Sequence, residues 1–165
     1  MTATTPERLR LDGHCLIVLD RTLLAAAPEE GCALLIGQQL GSTLSLQLIW
    51  PCRNHWQPAD QRLRRFSLDP REQLLAQRWC RARGLHVIGA AHSHPISAAV
   101  PSSTDQALCV GPTLMVIRTG LQQGLAALRA WWMHAADPGG EQHESPTELP
   151  ITLGPATAGA EHLGE

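Results

Sequence analysis

There is no lysine and no tyrosine among the 165 residues of this chain, and only one phenylalanine. Without lysine the chain offers no such side chain for conjugation, and all thirteen basic residues are arginines, set against fifteen acids for a formal net charge of -2. That balance lacks the basic excess a nucleic-acid partner normally calls for, so no nucleic acid is expected. No apolar run approaches the roughly 18 residues that span a bilayer, so no membrane partner is expected either. Cys15, Cys32, Cys52, Cys80 and Cys109 are odd in number and contain no C-x-x-C pair, which argues against both a disulfide framework and a zinc ribbon. The opening MTATTPERLR has no apolar signal core, and free thiols suit a reducing compartment. A cytoplasmic location is expected.

What is present is one domain's worth of ordinary globular composition, too short for a two-domain enzyme. The polar residues 1–11 read as a flexible N-terminus, 12–153 as the folded domain and the Gly/Ala/Glu-rich 154–165 as a flexible tail. Within the domain, Cys15 to Leu19 reads as a short strand and Arg21 to Ala27 as a helical segment. Residues 32–37 and 43–50 read as a hairpin turning at Leu40-Gly41-Ser42. Asp69-Pro70-Arg71-Glu72 opens a helix whose apolar period runs to Gly84. Then follow a strand from His86 to His92, a short helix from Ser102 to Cys109, strands over 113–118 and 125–134, a turn at 137–140 and a last strand from Leu149 to Leu153. Hairpins mixed with crossovers predict an α+β fold, helices sandwiching a mixed β-sheet.

The chemistry is concentrated in His92-Ser93-His94-Pro95 and Ser102-Ser103-Thr104-Asp105. Histidines at i and i+2 near a strand end project from one face of the pleat, so both imidazoles reach one point. Asp105, on the first turn of the next helix, offers a third, oxygen ligand. Two nitrogens and a carboxylate leave a fourth tetrahedral position for water, the pattern of a catalytic zinc. The bland reading stands beside it: S-x-x-D ahead of Leu108 is also a helix capping box, and an aspartate engaged on zinc is not free to cap. Upstream, Glu29 and Glu30 are both candidate general bases, and residue type alone does not choose between them. Trp131 and Trp132, adjacent in a strand, face opposite ways, one toward the core and one toward a surface or a homodimer contact. Cys32 reads as an inert small hydrophobe. The cluster Arg62, Arg64, Arg65 reads as a solvated face or as a receiver for an acidic patch on a protein substrate.

H-S-H, seven residues, then S-x-x-D resembles the signature of the JAMM (MPN+) metalloproteases at every fixed position. The resemblance runs from about Cys15 to about Leu153 and is closest to the compact prokaryotic JAB-domain branch. It implies an α-β-α sandwich around a curved mixed β-sheet, cytidine deaminase-like in outline, and one Zn2+ per chain held by His92, His94 and Asp105. Ser102 corresponds to the serine that steadies the tetrahedral intermediate. Pro28-Glu29-Glu30-Gly31-Cys32-Ala33-Leu34-Leu35-Ile36-Gly37 is similar to the family's P-x-E-x-C-G-x-L-x-G segment, which makes Glu30 the general base; Ala33 departs from the usual glycine. The implied enzyme is a hydrolase of the JAMM zinc metalloprotease type, an isopeptidase or peptidase cutting the amide after the C-terminal glycine of a ubiquitin-like or sulfur-carrier protein. The substrate tail is expected to bind by strand addition to a sheet edge. Two rivals stand against this. A non-catalytic MPN-type scaffold usually lacks the ligands present here, and a zinc deaminase would need H-x-E and a P-C-x-x-C that the chain does not contain.

Overall fold

Leucine alternates with arginine over Arg8-Leu9-Arg10-Leu11, and in the computed structural model, which describes residues 3–135 and 144–155, these four residues are a strand, β1. Both leucines are buried and both arginines exposed, the period of two expected when one face of a strand meets a core. The expectation of a flexible stretch over 1–11 is therefore corrected at 8–11. The apolar run after it is corrected too. Gly13–Leu24 is one helix, α1, with Asp12 as its N-cap accepting the Cys15 N–H at 2.7 Å. The strand-like string CLIVL buries Cys15, Leu19 and Leu23, a spacing of four that only a helix puts on one side, and leaves Ile17 exposed.

The remaining strands are β2 (Cys32–Leu40), β3 (Thr43–Cys52), β4 (His86–His94), β5 (Thr113–Thr119), β6 (Leu128–Met133), β7 (Thr147–Leu149) and β8 (Ile151–Leu153). With β1 they form one mixed sheet in the order β7-β6-β5-β4-β2-β3-β1-β8. The hairpin β2–β3 closes through Gly41-Ser42, and Gly41 sits at φ 62, where a side chain would be strained. Two further helices are α2 (Pro70–Arg81), capped by Asp69 with proline at its first position, and α3 (Ser103–Leu108), which carries the crossover from β4 to the parallel β5. The proposed 125–134 strand begins only at Leu128, after a short 3-10 turn. The expected last strand is two, divided at Pro150: 147–149 pairs with β6, while 151–153 pairs with β1 at the other side of the sheet. One short segment thus bonds to both ends of the strand order and brings the sheet close to a barrel. The turn expected at 137–140 and the tail after 155 lie outside the described residues.

The core divides by pleat parity. Leu35 of β2 and Ala91 of β4 share a buried cluster with Cys15, Leu19 and Leu23 of α1. The alternate residues Leu34 and Ala90 face the other side, where they line a groove with Gln73 and Gln77 of α2. Helices therefore lie on both faces. Buried Arg118 of β5 donates to Asp20 of α1 at 2.6 Å and fastens that helix to the sheet. No described helix is long and apolar enough to cross a membrane. Because Leu19 is fully buried at the centre of the α1 contact, Leu19→Ala is expected to cost about 2–4 kcal/mol, read as a lowered urea midpoint at unchanged slope.

Candidate metal centre

His92 and His94 are even-numbered neighbours on β4 and so share the face opposite α1, at the end of the strand nearest α3. Phe66 stacks on the His92 ring, centroids 4.2 Å apart, and His92 is completely buried. Asp105 enters from the first turn of α3. The two imidazole Nε2 atoms stand 3.1 Å apart, and Asp105 Oδ2 lies 3.1 Å from that of His92 and 3.2 Å from that of His94. A tetrahedral ion with bonds of about 2.0–2.1 Å keeps its ligand atoms about 3.3–3.4 Å apart, so this near-equilateral triangle fits such an ion.

The protonation pattern makes the same point. His94 Nδ1 lies 2.8 Å from the Ala98 carbonyl, which only accepts, so Nδ1 carries the proton and Nε2 of the neutral ring presents a lone pair to Asp105. The His94 Nε2 lone pair and the Asp105 oxygen, 3.2 Å apart, repel unless a proton or a cation lies beside them, and among the described residues His92 Nδ1 has no partner to fix which of its nitrogens carries the proton. Burial opposes charge on His94, but the bonds to Asp105 and the Ala98 carbonyl outweigh it and raise its pKa. For completely buried His92, loss of solvation dominates and lowers it. Burial also works against the charge on Asp105, yet the bonds from His92, His94 and the Ser102 N–H hold its carboxyl well below the ordinary range.

The loop after His94 is fixed residue by residue. Thr119 Oγ1 donates to the Ser97 carbonyl at 2.6 Å, and Trp131 Nε1 donates to that of Ala99 at 2.9 Å. The Gly120 N–H donates to His94 O at 2.9 Å, at a place where a Cβ would collide with the Pro95 carbonyl. Three consecutive carbonyls, those of 97 to 99, thus take a side-chain donor each, and the middle one orients a metal-site histidine. Ser102 and Asp105 also form the complete capping box: Ser102 Oγ accepts the Asp105 N–H at 3.0 Å, and Asp105 Oδ2 accepts the Ser102 N–H at 2.9 Å. The supposed exclusion between capping and metal binding is therefore corrected. One oxygen has lone pairs enough to serve both, and the exposed Ser102 keeps its own O–H proton free to donate.

Glu30 precedes β2, whose Cys32 pairs with His92; continuing that antiparallel register by two residues sets Glu30 opposite His94 on the same face. The join is made by Ser93, whose N–H donates to Gly31 O at 3.0 Å while its Oγ accepts the Gly31 N–H at 2.7 Å. Glu30 is buried, whereas Glu29 is partly exposed. Among the described residues Glu30 Oε2 has no hydrogen-bond partner, and burial raises its carboxyl to about 7, with His94 pulling down and Asp105 pushing up. Burial likewise pushes the Cys32 thiol up to about 12, which leaves it protonated and inert beside the site.

Residue type alone gives Asn54 no role, yet it holds the backbone on which Glu30 sits. Its Nδ2 donates to Glu30 O at 3.0 Å and to Arg65 O at 2.7 Å, while its Oδ1 accepts the N–H groups of Trp56 and Ser67. The Glu30 N–H in turn donates to Arg62 O at 2.8 Å. Only an amide side chain both donates and accepts in this way, and an asparagine among the turn-forming residues of 53–58 is the sole trace of it in the sequence. Trp131 and Trp132 are each half-buried on opposite sides of β6, the first against the cluster of Ala99 and Ile117 and the second against the α1-side core.

Comparison with known proteins gives two kinds of likeness. The family model described as prokaryotic homologs of the JAB domain matches residues 16–134. Among solved structures, the solution structure of a protein from Desulfitobacterium hafniense superposes with a TM-score of 0.73 at 26% identity, covering 88% of this chain and 92% of that one. One from Salinibacter ruber gives 0.62 at 27% identity, covering 93% and 96%. No match is found among curated proteins.

Two outcomes follow for the centre. Asp105→Asn keeps the shape and a capping acceptor but removes the charge, so the variant should stay folded while taking up less of an added divalent transition metal than the parent chain, measured by elemental analysis after gel filtration. Asn54→Ala leaves several backbone groups without their partner and is expected to lower stability by about 1–3 kcal/mol in urea unfolding.

Proposed function

This chain belongs to the family of prokaryotic homologs of the JAB domain, and from that premise we propose that it is a zinc-dependent metallo-isopeptidase or peptidase. Its substrate would be the amide after the C-terminal glycine of a ubiquitin-like or sulfur-carrier protein, joined to a cysteine or to a lysine side chain. The observation that carries this reading is the triangle of His92, His94 and Asp105 with a buried, unpartnered Glu30 carboxylate brought alongside by the β2–β4 register.

When bound there, zinc supplies Lewis acidity to the attacking water and the scissile carbonyl. The rest of the work falls to the chain. Glu30 takes a proton at its carboxylate and returns it to the leaving amine, and its elevated proton affinity suits both transfers near neutral pH. Ser102, exposed at the mouth of the site with its O–H unspent by the capping bond, donates to the oxygen on which charge develops. His94 keeps its Nε2 aimed because the Ala98 carbonyl holds the opposite nitrogen. Strand addition next to the histidines is ruled out by the topology, since β4 is already paired on both sides, by β2 and by β5. This reading therefore puts the tail on the side-chain face.

The test is a turnover assay on a carrier protein whose C-terminal Gly-Gly is joined to cysteine or to a lysine side chain. Zinc-loaded protein should release the free glycine terminus. Glu30→Gln should lower kcat by about 10²–10⁴-fold while zinc content stays at about one per chain. The base acts only when ionised, so kcat/KM should rise with pH through a limb at or below about 7, a nearby cation pulling the carboxyl down from its metal-free position. A folded protein that takes up no zinc and cleaves neither conjugate would leave the scaffold reading in its place.

A further inference from the structure

Eight of the thirteen arginines lie between residues 53 and 83, with only three acids, in a chain whose net charge is -2. Of those acids, Asp69 is paired to Arg71 and Glu72 accepts the Trp50 Nε1–H, so Asp60 is the one carboxylate left over in that segment. Arg64 and Arg65 are exposed, and among the described residues neither is in an ion pair. Arg65 is held in place by its neighbours: its guanidinium lies 5.4 Å from the centre of the Trp56 ring, and Asn54 fixes its backbone carbonyl.

Trp56 and Arg65 border a groove of about 680 Å³ on the same sheet face as the histidines, and Arg64, next in sequence, lines an adjoining hollow that shares Arg65 with it. It is lined by Leu34 and Ala90 of the sheet, by Trp56 and Arg65 of the connection after β3, and by Leu108 and Val110 at the end of α3. Asp105 also lines it, so the groove opens onto the metal centre. The rim at the end of α3 is apolar and uncovered, with Leu108 58% and Val110 92% exposed. A cationic rim at Arg65 and an uncovered apolar rim at Leu108 and Val110 fit an extended polypeptide that carries both carboxylates and aliphatic side chains. A nucleic-acid strand would bring phosphates to the apolar rim, where nothing pairs with them.

Resting on the hydrolase reading, we propose that this groove seats the tail of an acidic protein substrate. Arg65 pairs with a carboxylate upstream of the scissile glycine, Arg64 beside it adds to the positive rim, and Leu108 and Val110 receive the tail's aliphatic side chains. Because Asn54 joins the backbone of Arg65 to that of Glu30, the loop that would read the tail is also the loop that holds the base.

The experiment is fluorescence anisotropy on the full chain stripped of metal by a chelator, so that binding is read without turnover. The probe is a fluorescein-labelled peptide of alternating leucine and glutamate ending in Gly-Gly, compared with the same peptide carrying lysine for glutamate. The acidic peptide should bind more tightly, and its affinity should fall between about 0.05 and about 0.3 M salt. Arg64→Glu/Arg65→Glu should weaken it about tenfold or more, with Arg64→Gln/Arg65→Gln intermediate, and Leu108→Ser/Val110→Ser should weaken it at unchanged salt dependence. Arg81→Glu, which reverses an exposed charge on α2 outside the groove, should leave it unchanged. Equal binding of both peptides, an Arg81→Glu loss as large as the double reversal, or displacement of the peptide by a single-stranded oligonucleotide of equal charge would overturn the proposal. Failure of the hydrolase reading would appear only in the turnover assay, with this binding intact.

Discussion

Two hydrogen bonds between Ser93 and Gly31 set the geometry on which the rest of the site depends. They extend the β2–β4 pairing beyond Cys32, the first residue of β2, and in doing so they decide where Glu30 must be. Ser93 lies between the two histidines but points to the other face of the pleat, so a single strand supplies candidate ligand, tether, candidate ligand in three successive residues. The same strand pairs with β5 on its far side, whose Thr119 and Gly120 fix the loop after His94. Position is therefore inherited from the sheet, while α3 and the 54–68 connection are fitted around it.

The two carboxylates of the site show how environment separates roles. Asp105 is surrounded by donors and is held ionised; Glu30 has an oxygen with no donor near it and is driven toward neutrality. The burial is comparable, with relative exposures of 8% and 4%, so partners rather than depth make the difference. An ionised oxygen suits a ligand, and a group with a proton affinity near neutrality suits a shuttle.

Much of this was legible in the sequence because it is local. The i, i+2 histidines, the S-x-x-D helix start, the Gly41 turn and the Asp69-Pro70 cap each depend on a handful of adjacent residues. The α+β class followed from their order. What was misread depends on distant partners. Arg8–Leu11 is a strand only because β3 and β8 flank it, and Cys15–Leu19, apolar enough for a strand, is helical because its buried residues recur every fourth position. Pro150 divides what looks like one strand into two that bond to opposite sides of the sheet. The roles of Asn54, Thr119 and Trp131 are carried by bonds to carbonyls, which have no signature in residue type.

Natural sheets commonly protect their outer strands from pairing with other molecules by placing lysines along them, and this chain has none. Its alternative is geometric. The outermost strands, β7 and β8, are three residues each, are successive pieces of one segment, and are separated by a proline that has no N–H to offer. On β7, Glu148 is further occupied by a two-pronged pair with Arg129. At these two strands a neighbouring molecule thus meets only three residues of backbone at a time, a limit set by how one segment is laid down rather than by charge, whereas the longer opening lies beside β3, where β1 pairs only with Thr43 to Ser45.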